Sequence, residues 1–268
     1  MHPALFQLVD GPTQWLMGFK LVDRAMSFLT YQRKRVMRRK IEARLRAQGL
    51  YGDEVVRGPF KGMTFPRDMY ISGRFEFTIG ACEQELFPLI ERLAATKEYS
   101  EIINVGASEG IYGTGLGRLF PAAQIICYET VAEARDRCLE IAKLNGVEDR
   151  FVMRGHCSAS DLAAHKPGVK PLIWMDIDTG EREVLDPVKV PWLKHVDIFV
   201  ELHDCLEPGL SALIRGRFEK THRIERYTLC GLDYDKYPEL HSLNFEEIHA
   251  MVEHNRKGLH DWFFMEPL

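Results

Sequence analysis

The 268-residue chain has no CxxC pair and no cysteine–histidine spacing of the kind that holds zinc; its six cysteines (82, 127, 138, 157, 205 and 230) are widely scattered. That argues against a zinc module and suits reduced, buried thiols in a cytoplasmic protein. No apolar run approaches the roughly 18 residues of a membrane-spanning helix, so no span is expected. The opening MHPALFQLVDGPTQWLMGF lacks a basic leading region and a small-residue cleavage site, so no secretory leader is expected either. Internal repeats and low-complexity tracts are missing. Positive charge is scarce over most of the length: beyond residue 50 there are 25 Lys/Arg against 36 Asp/Glu, a net of −11. A general nucleic-acid binder needs a basic surface to neutralise phosphates, and no nucleic-acid partner is expected here.

What is present is an ordinary globular composition, 46% hydrophobic and 28% charged, long enough for one large core with a modest appendage. The appendage is residues 1–50, where ten Lys/Arg face three Asp/Glu. Apolar spacing predicts a helix from about Ser27 to Gln48, closed by Gly49, with Met37, Ile41 and Leu45 on one face and a crowd of arginines and lysines on the rest. The stripe suits docking, and the extension offers a contact for a second subunit; a solvated basic face is the plainer account. Residues 51–98 read as a lead-in of short strands with a helix from about Cys82 to Ala95, and 99–268 as the main domain.

In that domain the rhythm is regular. Apolar, strand-like runs occupy 101–105, 124–128, 150–155, 171–177 and 196–202, and helical patterns fall near 110–119, 131–145, 159–164, 180–186 and 207–219. Alternation of this kind predicts a doubly wound, Rossmann-like parallel sheet covered on both faces. Two later runs, His222–Leu229 and His260–Met265, are expected to add an antiparallel edge.

The turn after the first strand, Gly106-Ala-Ser108-Glu-Gly110, has two readings. As GxSxG it would expose Ser108 as a hydrolase nucleophile, with Asp178 or Asp204 and His241 or His260 completing a triad in chain order. As a strand–glycine–helix turn it would hold a nucleotide-like cofactor at the carboxyl ends of the strands. Nineteen residues after Gly110 the second strand ends in Cys127-Tyr128-Glu129, an acid placed to accept hydrogen bonds from ribose hydroxyls. The hydrolase reading gives that acid no purpose, so the cofactor reading is preferred.

EIINVGASEGIYGTGLGRLFP, IICYE, LIWMDIDTGEREVL and DIFVELH, in that order, resemble the FkbM-type class I methyltransferases over roughly residues 99–230. The resemblance implies a seven-stranded methyltransferase sheet, S-adenosyl-L-methionine as cofactor, and methyl transfer to the hydroxyl of a small-molecule acceptor. It places Gly106, Ser108 and Gly110 on the methionine and ribose side, Glu129 on the ribose, Cys157 and Ser158 by the adenine, and Asp176 near the transferable methyl. Two positions depart from the pattern. Asn104 stands where many class I enzymes have an acid, and Thr179 where a glycine is usual. A cofactor-binding scaffold without transfer activity is the rival outside the enzymes.

Alternation along the fifth strand puts Glu201 and His203 on one side. His203 is the first choice for general base and Glu201 for orienting it or binding substrate. Asp178 is a second catalytic candidate, although Asp178-Thr-Gly-Glu181 also reads as a capping box. Asp176, Asp178 and Glu201 could gather round an ion, but no spacing demands one, and no metal is assigned. His249 and His254 read as surface or packing residues, and Trp15, Trp174, Trp192 and Trp262 as core or pocket wall.

Overall fold

The computed structural model describes residues 20–67, 69, 73–252 and 261–268. Trp15, His254 and His260 lie outside them. Helices run α1 (Lys20–Ala47), α2 (Arg74–Ile79), α3 (Phe87–Thr96), α4 (Ile111–Leu119) and α5 (Ala132–Leu144). They continue with α6 (Ala159–Ala164), α7 (Glu181–Val184), α8 (Leu210–Phe218) and α9 (Phe245–Met251). The strands are β1 (Glu101–Val105), β2 (Gln124–Tyr128), β3 (Phe151–Arg154), β4 (Pro171–Met175), β5 (Asp197–Leu202), β6 (His222–Thr228) and β7 (Asp261–Pro267). None of the described helices is long and apolar enough to cross a membrane.

The chain divides into two compact units, Met1–Tyr51 with Pro238–Glu253 and Gly52–Tyr237 with His254–Leu268. In the smaller unit, Ile41 and Leu45 of the expected stripe are buried. The basic side of α1 meets acids of α9: Arg33 pairs with Glu246, and Arg44 with Glu247 at 2.9 Å. Part of the basic run is therefore matched within the chain. His249 is exposed on α9 and lies parallel to the Phe245 ring, as a surface histidine.

The larger unit is one seven-stranded sheet, in the order β3-β2-β1-β4-β5-β7-β6. β1 to β5 are parallel, and β7 and β6 join as the antiparallel edge. β1, β4 and β5 are buried along their whole length, which is why their sequences are apolar runs and not alternations. One apolar layer holds Trp174, Phe199, Trp262 and Phe264, and the other holds Ile173, Met175, Val200 and Phe263. β6, the edge strand, is exposed at Arg223, Arg226 and Thr228 and also carries Glu225. Strand order reverses between β1 and β4, and open α/β sheets bind ligands outside the carboxyl ends of the strands at such a point.

Two local expectations are corrected. The lead-in contains a single isolated bridge, Glu54 to Thr64, among the described residues, and the short helix α2 where strands were expected. The helix anticipated from Cys82 begins as a 3-10 turn, Gln84–Leu86, and becomes α-helical only at Phe87, with proline in its first turn. Proline lacks an amide hydrogen to donate and fits there for that reason.

Candidate functional site

The glycine turn is shaped by close packing. Gly106 sits at φ 82, and a Cβ placed on it would lie 1.6 Å from the carbonyl oxygen of Asp176, at the end of β4. Gly110, also at φ 82, lets α4 approach α5, where an added Cβ would meet Cys138 at 3.0 Å. The amides of Gly106 and Ala107 both donate to the Tyr128 carbonyl, and that of Gly110 to Ala107. Gly106→Ala is accordingly expected to cost about 3 kcal/mol or more, combining a left-handed backbone with a backbone clash. A melting temperature within a degree of wild type would contradict it.

Ser108 adopts φ 48, its hydroxyl donates to Glu109 Oε2 at 2.7 Å, and its amide donates to Glu129 Oε2 at 2.9 Å. The other oxygen of Glu129 accepts the Val131 amide at 2.8 Å. Glu129 thus braces the turn while staying half-exposed at the end of β2. Its Oε1 also accepts the Thr130 hydroxyl at 3.4 Å; each carboxylate oxygen offers two acceptor positions, so Oε2 keeps one for a ligand. Cys157 is buried, and burial, then the charge of Asp161, pushes its thiol up to about 12. Ser158 caps α6 in a capping box with Asp161. Asn104 is buried and donates to the Trp174 carbonyl at 3.2 Å, inside the sheet.

On the other side of the reversal point the parallel register of β4 and β5 sets Trp174 beside Phe199, with rings stacked 3.7 Å apart. Tyr112 stacks on Trp174 at 4.8 Å, and its hydroxyl hydrogen-bonds Glu83. Two residues further along each strand the same register brings Asp176 to Glu201. Like charges opposed across a sheet are unfavourable. Desolvation by the surrounding chain, then the charges of Glu201 and Glu83, hold the Asp176 carboxyl well above its ordinary range, against His203. Its side chain keeps 46% of its accessibility, so the neighbouring carboxylates are the firmer cause.

His203 joins this pair. It is buried, with Nδ1 2.9 Å from Glu181 Oε1 and Nε2 turned towards Asp178 (3.4 Å), Asp176 (3.6 Å) and Glu201 (3.9 Å). Burial alone would lower its pKa; the hydrogen bond to Glu181 and the charges of Asp176 and Glu201 outweigh that and raise it to about 9. Asp178 (φ 57) and Thr179 (φ 143) take left-handed backbone conformations, so the threonine at the usual glycine position has kept a glycine-like geometry. The capping box expected here is absent: Gly180 caps α7 without a side-chain bond, and Glu181 is buried against His203.

The structure therefore gathers Asp176, Asp178, Glu201 and His203, and sets Gly106, Ser108, Gly110 and Glu129 at the neighbouring strand ends. Glu181 and Glu83 also belong to the first group and were missed. Glu181 was hidden by its helix-start pattern, and Glu83 lies in the lead-in, where no motif marks it. Of the acids in the hydrolase reading, Asp204 accepts the amides of Gly209 and Ser211, and Asp178 faces His203.

No family model and no curated protein sequence matches the chain. Among solved structures it is similar to one from Klebsiella pneumoniae provisionally described as an O-methyltransferase (14% identity, 86% of this chain and 90% of that one, TM-score 0.43). An O-methyltransferase from Bacillus cereus in complex with SAH is similar at 12% identity, with 86% and 91% covered and a TM-score of 0.41. So is a Clostridium thermocellum protein provisionally described as an rRNA-methylase (11% identity, 66% and 92%, TM-score 0.45). The reaction has to be read from this chain's own residues.

Proposed function

We infer that the chain is an S-adenosylmethionine-dependent methyltransferase of the FkbM type, acting on a hydroxyl of a small-molecule or sugar-like acceptor. The observation that carries this is the half-exposed Glu129 carboxylate on one side of the strand-order reversal, with the Asp176–Asp178–Glu201–His203 centre on the other. The residues fit the cofactor: Glu129 Oε2 retains an acceptor position for a ribose hydroxyl, and Gly106 lets the turn beside it pack directly against the end of β4. When bound, the cofactor supplies a methyl group whose carbon–sulfur bond breaks, with its electron pair left on sulfur, as an acceptor oxygen forms the new bond.

The chain's part is to hold that oxygen in line and accept its proton, which the imidazole does only in its neutral form, so turnover should rise with pH towards about 9. Asp178, with 87% of its side chain accessible, is the member of the centre that an incoming acceptor meets first. Glu201 and His203 lie behind it, and Glu181 fixes the imidazole ring. A Ser108 hydrolase is less well supported, because the serine hydroxyl is engaged by Glu109.

Calorimetry should show binding of both S-adenosylmethionine and S-adenosylhomocysteine. Labelled methyl should pass from the former to an alcohol or phenol in a panel that includes a short RNA. Binding of neither compound by folded protein would sink the proposal; binding without transfer to any acceptor would favour the scaffold.

A further inference from the structure

The Asp176–Asp178–His203 group has a second property, independent of any acceptor. One ligand atom from each residue can be chosen so that all three lie within 4.8 Å of one another. Nitrogen from a histidine with oxygens from two carboxylates is a donor set for a first-row divalent ion. The imidazole is already oriented as a metal ligand is. A metal-binding histidine almost always gives its second ring N–H to a carboxylate, which fixes the ring and raises the basicity of the nitrogen left for the ion. Here Glu181, fully buried, takes Nδ1 at 2.9 Å and leaves Nε2 facing the two aspartates.

Charge points the same way. The second oxygen of Glu181 is buried with no hydrogen-bond partner, and Glu201 is a further buried carboxylate within 3.9 Å of the ring. Buried carboxylates are costly unless a positive charge offsets them. A dication beside Nε2 would offset them. The accessible side chains of Asp176 and Asp178 leave an entry path and room for water or an acceptor oxygen.

We propose that Asp176, Asp178 and His203 Nε2 form a binding site for a divalent cation of the manganese(II) class, with Glu181 as the positioning residue behind the histidine. On the methyltransferase reading, on which this role rests, an acceptor hydroxyl on the ion ionises more readily and its proton goes to water, Nε2 then holding the ion instead of taking the proton itself. Binding of the ion itself does not depend on that reading.

The test uses full-length protein, stripped with chelator and titrated with manganese(II) chloride without methyl donor. Electron paramagnetic resonance should show one ion bound per chain, with a nitrogen modulation from imidazole in its electron spin echo. Asp176→Asn and Asp178→Asn should each weaken binding at least tenfold, and His203→Gln should remove the nitrogen modulation. Glu181→Gln should weaken binding by about 10–100-fold, and Asp136→Asn on the exposed side of α5 should leave it unchanged. Circular dichroism and S-adenosylmethionine affinity establish that each variant is folded. No bound manganese at millimolar concentration would overturn the proposal, as would bound manganese without nitrogen modulation or with wild-type affinity in the aspartate variants. A protein that binds manganese but no S-adenosylmethionine would keep the ion site and lose the methyltransferase reading.

Discussion

Replacing His203 with alanine is expected to lower turnover by roughly 10²–10⁴ while changing affinity for S-adenosylmethionine less than about threefold. The imidazole joins Asp178, Asp176 and Glu201 at Nε2 and is fixed by Glu181 at Nδ1, so its loss dismantles the proton-accepting centre without touching the Gly106 turn. Alanine also leaves Glu181 buried without its partner, a change that costs several kcal/mol and can unfold a protein by itself. His203→Gln keeps most of the side-chain volume and a neutral neighbour for Glu181, and should show the same kinetic loss with a smaller fall in melting temperature. Glu181→Gln, which can still accept from Nδ1–H, should lose less, about 10–100-fold. A folded His203→Gln enzyme with wild-type turnover on an aliphatic alcohol would remove the histidine from the chemistry.

Affinity for the cofactor is expected to fall by about 2–4 kcal/mol in Glu129→Ala, roughly 30-fold to several hundred-fold. Two effects combine. The ribose loses a charged acceptor, and the turn loses the carboxylate that receives the Ser108 and Val131 amides. Glu129→Gln separates them, since its amide oxygen can still accept one backbone amide while the charge is gone. It should bind more tightly than the alanine variant and more weakly than wild type. Calorimetry giving unchanged affinity in folded Glu129→Ala would take this residue out of the site.

Much of the fold was legible because its signals are local. Continuous apolar runs at 101–105, 124–128 and 171–177 can be buried on both faces only in a covered parallel sheet; β1 and β2 coincide with the first two, and β4 ends two residues short of the third, at Met175. The antiparallel edge was legible from His222 onward, and the stripe of Ile41 and Leu45 from spacing alone. The lead-in was less so. Glycine, proline and aromatics there suggested strands, whereas Phe60 and Phe65 are held by the core of the sheet and, among the described residues, a single bridge remains.

The amino-acid sequence by itself determined the order of strands and helices, the position of the glycine turn, and the acid at the end of β2. These follow from periodicity and from residues whose backbone freedom or charge has one economical use. Only the tertiary structure decided what those residues touch. Gly106 is glycine because β4 ends against it, a contact between positions seventy residues apart. Asp176 is opposed to Glu201 because β4 and β5 pair in one register. Glu181, which in sequence looks like a helix-start acid, is the partner of His203 because α7 folds back over the end of β5. Contacts across the sheet depend on which strands become neighbours, and no local pattern encodes that choice.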